Sequence, residues 1–227
     1  MNPRFTCLAI ASLLAFATSC KSPYLHPPGL GLGEKYHLVF VTAGTRNGAS
    51  SSIGDYNTFV QQQAEASELS LPSTTWKAIA STASESAVNN VGTGSGPVYL
   101  IDASTLVSNS VEDLFNGTNL QAAIDTTQNG NVIPSFNFAW TGTGEGGVSA
   151  NPLGSSQPER GDLRTTNGDL WLTANNSLGS SGDQPLYAIS APITVTSVNP
   201  IPDLSCLFAL GSIVCIGMVV VSYRRQP

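Results

Sequence analysis

The chain has 227 residues, 11% of them charged, and a formal net charge of −6. Residues 21–200 hold six basic and fourteen acidic residues, a balance that repels nucleic-acid phosphates and offers no basic stripe to bind them. The same stretch has no cysteine and the whole chain only two histidines, which excludes a disulfide framework, a thiolate metal site and a histidine-rich metal site there.

Arg4 followed by the apolar run Cys7–Ala17 has the layout of a secretory leader, assigned here to residues 1–19. Ala15-Phe16-Ala17 offers a small-x-small cut after Ala17. Ala17-Thr18-Ser19-Cys20 resembles a bacterial lipobox, whose use would make Cys20 the lipidated first residue. Residues 20–35, with the Pro/Gly-rich run Ser22–Gly33, read as a linker.

Tyr36–Thr42 (YHLVFVT) predicts a strand with Tyr36, Leu38, Phe40 and Thr42 on one face. Asp55–Leu69 predicts a helix, because Tyr56, Phe59, Val60 and Ala64 recur at helical spacing and Ser52 or Asp55 can cap it. Thr75–Ser81 reads as a second strand and Val98–Asp102 as a short extended run. Ser110–Gly117 reads as a two-turn helix, capped by Ser110, with Glu112 and Asp113 favouring its dipole. Asn129-Gly130 is a turn signal and Phe136–Thr141 an alternating strand.

Between Thr141 and Asp183 nine of 43 residues are glycine. Only Leu170–Ala174 (LWLTA) reads as a strand there. Pro185–Val195 is the last strand, with Pro192 marking an edge or a bulge. Early helices, with strands at the beginning and end, make residues 36–195 one α+β domain.

Residues 196–203 read as a stalk. Leu204–Tyr223 is uncharged, and about 20 apolar residues suffice for a helix to cross a bilayer. Arg224 and Arg225 follow, in a basic tail of residues 224–227, and place that end on the cytoplasmic side. A proline-containing motif, an apolar helix and terminal arginines together resemble the PEP-CTERM sorting signal of Gram-negative bacteria. Ile201, Pro202 and Asp203 occupy the motif, with Asp203 where that family has glutamate. The resemblance implies export to the membrane or cell surface of a Gram-negative-type bacterium and processing by an exosortase-like enzyme. An ordinary membrane anchor is the plain alternative.

The order FVTAGT, DYNTFV, TWKAIAS, VYLID, VEDLFNG, AWTGTG, LWLTA, PLYAIS is similar to bacterial C-type-lectin-like and endostatin-like surface domains. That resemblance implies paired N- and C-terminal strands, a core holding Trp76, Trp140 and Trp171, and a long ligand loop at Gly142–Gly168. Gln157-Pro158-Glu159 resembles the Gln-Pro-Asp triplet with which galactose-type lectins hold calcium and sugar. Asn167 and Asp169 stand where that family places an Asn-Asp pair. A Ca²⁺ site of Gln157, Glu159, Asn167 and Asp169 is thereby implied, with a solvated turn-rich loop as the other reading.

No Gly-x-Ser-x-Gly elbow accompanies His37. Of the paired acids Glu112/Asp113 and Glu159/Asp162, neither is set by sequence at the roughly 5–9 Å that a glycosidic bond requires, and Glu112 and Asp113 have the simpler role of helix-start charges. The sequence therefore reads as an exported, non-catalytic binding or structural module. Its expected partners are the membrane and a polysaccharide or surface protein, without nucleic acid. A polysaccharide-acting extracellular hydrolase and a purely structural lipoprotein are the alternatives.

Overall fold

The computed structural model describes residues 26–196. The expected leader, Cys20, the Ile201-Pro202-Asp203 motif, the apolar segment 204–223 and Arg224 and Arg225 lie outside the described residues. Among the described residues no helix is long and apolar enough to cross a membrane.

The protein is α+β. Its elements run β1 (Lys35–Val41), β2 (Arg46–Asn47), α1 (Ile53–Glu65), β3 (Trp76–Ala78), α2 (Ala87–Val91), β4 (Val98–Leu100), β5 (Leu106–Ser108) and α3 (Val111–Leu114). Then follow β6 (Phe138–Trp140), β7 (Arg160–Asp162), β8 (Asp183–Gln184), β9 (Tyr187–Ser190) and β10 (Ile193–Thr194). The main sheet is mixed, in the order β3-β9-β1-β4-β5, with β10 also on β1. Two small antiparallel pairs, β2 with β8 and β6 with β7, stand beside it.

β1 is the middle of this sheet, parallel to β4 and antiparallel to β9. Its predicted inward face is buried, but so is the other one. Tyr36, Leu38 and Phe40 pack with Tyr56, Val60 and Ala64 of α1, while Val39 and Val41 pack with Val111 and Leu114 of α3. A strand flanked on both edges and covered on both faces has no solvated side, so a continuous apolar run suits it better than alternation. Trp76, Trp140 and Trp171 are all buried, as expected.

The expected pairing of the first and last strands is present. Val39 opposes Ile189, whereas Tyr36 opposes Ile193, so three steps along β1 match four along the returning chain. The extra residue falls at Ala191-Pro192, which makes Pro192 the bulge marker that its residue type suggested.

Three expectations fail, one of them the two-turn helix at Ser110–Gly117, which is the single turn Val111–Leu114. LWLTA is not a strand: Gly168–Trp171 is a 3-10 turn, with the Asp169 carbonyl accepting from both Leu172 and Thr173 N–H. Trp171 and Leu172 are adjacent and both buried, which a strand's alternation does not allow on a single inward face. Helix α1 stops at Glu65 rather than Leu69. Ser67 Oγ donates to the Gln128 carbonyl at 2.6 Å and Glu68 N–H to Asn129 Oδ1 at 3.0 Å, so the chain leaves the helix to join that turn. Ser52 holds the N-cap position without a side-chain capping bond, whereas Ser110 caps α3 through Asp113 N–H, as expected.

Within the expected linker, residues 26–34 dock on the domain. Leu30 packs against the core and His26 Nδ1 lies 3.1 Å from Tyr36 Oη.

Candidate functional site

The Gly142–Gly168 region is knitted into the domain. Leu153 and Leu163 are core residues, and β7 within it pairs with β6. Glu145, Val148, Ser149, Asn151 and Gln157 form its exposed rim.

The four expected calcium ligands fall into two places. Gln157 is exposed, but Glu159 is buried, with Oε2 accepting from Asn151 Nδ2 at 3.1 Å. Its backbone carbonyl accepts from Thr141 and Gly142 N–H. Asn167 and Asp169 open the 3-10 turn instead, where Gly168 N–H reaches Asn119 Oδ1 and Asp169 Oδ1 receives Gly146 N–H. The two pairs thus have separate hydrogen-bond partners. Among the described residues no group of three or more His, Cys, Asp or Glu is placed to hold a metal ion.

Next to Glu159, Arg160 is buried with its guanidinium 4.8 Å from the Phe138 ring centre and 6.0 Å from that of Trp140. It donates to Asn175 Oδ1 at 2.7 Å, and its Nε has no partner. Burial lowers this guanidinium's pKa, against the opposing charge of Glu159.

A second feature lies on the sheet face shared with Val39. Alternation along β1 puts His37 on that face. Register puts Lys77 there too, because Val39 opposes Ile189 and Ile189 opposes Lys77. A cleft of about 170 Å³ forms over these residues, walled by Val91, Val111, Ile189 and Pro192 with Thr75 and Thr93. Helix α2, which sequence reasoning missed, closes one side. Its signals were Ser86, whose side chain accepts from Asn89 N–H, and Gly92, which ends the helix at φ +83°.

His37 is 4% exposed. Its Nδ1 lies 2.9 Å from the Ser190 carbonyl, which can only accept, so Nδ1 carries the proton. Its Nε2 is buried without a partner. A side chain on Gly94 would come within 3.0 Å of that nitrogen, so Gly94 covers it. Burial lowers the His37 pKa below the ordinary 6.5, outweighing the Ser190 bond and the charge of Glu112. Lys77 Nζ donates to the Asn90 carbonyl at 2.6 Å, near the end of α2.

The pH dependence of stability follows. A neutral His37 contributes fully above about 6.5, where the unfolded imidazole is neutral too. As pH falls below that value the unfolded state takes up a proton that the folded state refuses, so stability drops by at most about 1.4 kcal/mol per pH unit until the folded pKa is reached. Asp102 acts in a separate, lower window. Burial pushes its carboxyl up, but bonds from Thr105 and Ser104 outweigh that and hold it below 3.8. Urea unfolding of the wild type and His37→Asn between pH 7.5 and 4.5 is expected to show the loss in the former and its absence in the latter. Parallel curves would remove His37 from the account.

A broader recess beside the start of β1 is lined by Leu30, Gly33, Glu34, Lys35, Ser95 and Pro97. Neither recess brings two carboxylates together. No protein-family model matches this chain, and no curated protein matches it in sequence.

Proposed function

We propose that the protein is an exported, non-catalytic surface or matrix module with a C-type-lectin-like domain, anchored or sorted through its C-terminal segment. The observation that carries this reading is the closure of the domain's two ends on each other. Gly33 N–H donates to the Val195 carbonyl and Val195 N–H to the Glu34 carbonyl, both at 2.9 Å, and Lys35 opposes Thr194. A domain zipped at its ends is suited to presentation on a tether, because pull on either end loads this hydrogen-bonded seam before the core. The apolar runs that flank it in sequence supply two candidate tethers.

The lectin-like assignment rests on the paired terminal strands, α1 against the sheet, the three core tryptophans and the long segment between β6 and β9. The exposed rim at Glu145, Val148 and Gln157 is the surface through which a polysaccharide or surface protein would be met. Two carboxylates about 5–9.5 Å apart are what glycoside hydrolysis needs, and neither recess supplies them.

The test is intact mass of the mature protein from its host, after separation of membrane and medium. Sorting predicts loss of everything after about Asp203. A retained tail in the membrane fraction would overturn sorting and leave a tethered domain. The same spectrum reads a start at Thr18 against a lipidated start at Cys20.

A further inference from the structure

Asparagine followed by glycine is the pair in which a peptide chain turns on its own side chain. The glycine nitrogen attacks the asparagine Cγ, and with no Cβ on the glycine nothing hinders the approach. The chain holds four such pairs, beginning at Asn47, Asn116, Asn129 and Asn167. In sequence the four look alike, but the fold separates them. Gly48 N–H is held by the Ser180 carbonyl at 2.8 Å, Gly130 N–H by the Thr127 carbonyl at 2.9 Å and Gly168 N–H by Asn119 Oδ1 at 2.9 Å. Gly117 N–H, alone of the four, has no partner among the described residues.

The electrophile is prepared at the same pair. Asn116 Oδ1 accepts from Thr118 N–H at 2.9 Å and from Thr118 Oγ1 at 2.6 Å. The first of these bonds closes a ring that runs through the Gly117 nitrogen, so the side chain lies forward along the chain. Two donors on one carbonyl oxygen draw electrons from Cγ and stand ready for the negative charge of the adduct. Asn47 Oδ1 and Asn129 Oδ1 each take one donor, Ala49 N–H and Glu68 N–H respectively. Asn116, Gly117 and Thr118 are all exposed, so water and base reach them.

We propose that the fold selects Asn116-Gly117 as the site at which this protein deamidates. Gly117 N gives its proton to a solvent base and bonds to Asn116 Cγ. The Cγ–Nδ2 bond breaks, and Nδ2 takes up a proton and leaves as ammonia, which completes a succinimide. Water then adds to one of the two ring carbonyls. Opening at Cγ gives aspartate, and opening at the backbone carbonyl gives isoaspartate, with the chain routed through the side chain. In sum one water is consumed and one ammonia released, with no oxidant or reductant. The product puts a second carboxylate where Asn116 Nδ2 donates to Asp113 Oδ1 at 3.0 Å. The outer end of α3 thereby gains a charge and loses a bond as the chain ages. The site does not depend on the lectin-like reading.

The full chain, in a non-ionic detergent at pH 8, is sampled over weeks. Fragment-ion mass spectrometry follows each of the four pairs through the mass change of amide to acid. Asn116 is expected to convert about 5-fold or more faster than Asn47, Asn129 or Asn167, the value of the hydrogen bond of about 1 kcal/mol that the other glycine nitrogens must first break. In urea, where the fold no longer distinguishes them, the four rates are expected to converge. Thr118→Ser keeps the hydroxyl and is expected to keep the rate. Thr118→Val keeps the shape without the hydroxyl and is expected to lower it. Conversion at Asn116 no faster than at the other three overturns the proposal, as does a native ranking that persists unchanged in urea. A Thr118→Val rate equal to that of the wild type overturns it too.

Discussion

Gly161→Ala is expected to unfold the domain, with a loss of about 4 kcal/mol or more against a total that for such domains is about 5–15 kcal/mol. Gly161 is the central residue of β7, opposite Ala139 of β6. A Cβ at this position would stand 1.6 Å from the Trp171 carbonyl oxygen, 2.4 Å from its carbon and 3.0 Å from Leu172 N. All three are backbone atoms, so no side-chain rotation relieves the clash. Nor can the 3-10 turn retreat easily. Trp171 is packed against Phe115 and Tyr187, and the Leu172 carbonyl accepts from Thr141 Oγ1 at 2.6 Å. Overpacking of ordinary cores costs about 1–3 kcal/mol because side chains yield. Here the substitution forces two strands and a turn apart. Urea unfolding followed by tryptophan emission measures the effect directly, since all three tryptophans are buried. Gly54→Ala is the control, on an exposed turn of α1 where the nearest atom to a new Cβ is Ser52 Oγ at 3.4 Å. It is expected to change stability by less than about 1 kcal/mol. A Gly161→Ala protein as stable as this control would show that the close approach is not a constraint.

The glycine count between Thr141 and Asp183 signalled turns but not this contact. Gly161 looks, in sequence, like its neighbours Gly154 and Gly168. Only the third dimension puts Trp171 over it. The same distinction runs through the fold. Helix α1 was legible because Tyr56, Val60 and Ala64 repeat at a helical period, and β1 because its apolar residues are β-branched and aromatic. Its double burial was not, since alternation and a continuous run both describe YHLVFVT. Strands β5 and β7 are three residues each, too short for any period to show. LWLTA carried strand-like residue types, but the Asp169 carbonyl captured two N–H groups and wound it into a turn.

The candidate sites divide likewise. Gln157, Glu159, Asn167 and Asp169 drew notice by residue type, yet their chain spacing gave no sign that Glu159 turns toward Asn151 while Asp169 turns toward Gly146. His37 and Lys77 are forty residues apart, and β9 between them sets their shared face. No local pattern encodes that register. His37 was visible only as a histidine inside a strand, where an apolar residue would serve packing better.

Asn90→Ala is expected to cost about 3 kcal/mol, more than any exposed polar substitution in this domain, because Asn90 seals the open edge of the sheet. β3 is the terminal strand, bonded to β9 on one side only. Its other edge would leave backbone groups bare, an invitation to pair with another chain. Helix α1 and α2 close it with side chains. Asn57 Oδ1 accepts from Ala78 N–H at 2.9 Å, and Asn90 Nδ2 donates to the Ala78 carbonyl at 2.8 Å. The two amides also bond each other reciprocally, at 2.8 and 3.0 Å. One turn along α1, Gln61 Oε1 takes Trp76 N–H at 2.8 Å.

Truncating Asn90 therefore orphans the Ala78 carbonyl and one Asn57 hydrogen together, and each buried unmet group costs about 1–3 kcal/mol. Asn57→Ala is expected to cost about 2 kcal/mol, since Asn57 is less buried. Paired, the two truncations are expected to cost less than their sum by about 1–2 kcal/mol, because each alone strands the other's amide. Additivity within about 0.5 kcal/mol would mean that the amides do not act as one latch. Asn90→Asp separates bonding from shape. The carboxylate fills the same space but cannot donate to the Ala78 carbonyl, so at pH 7 it is expected to destabilise at least as much as alanine. Protonation restores a donor, which raises the introduced group's folded pKa above its unfolded one. Its penalty is therefore expected to shrink as pH falls from 7 toward 5, while that of Asn90→Ala stays constant. A penalty of equal size at both pH values would place the role of Asn90 in packing rather than in the bond to the sheet edge.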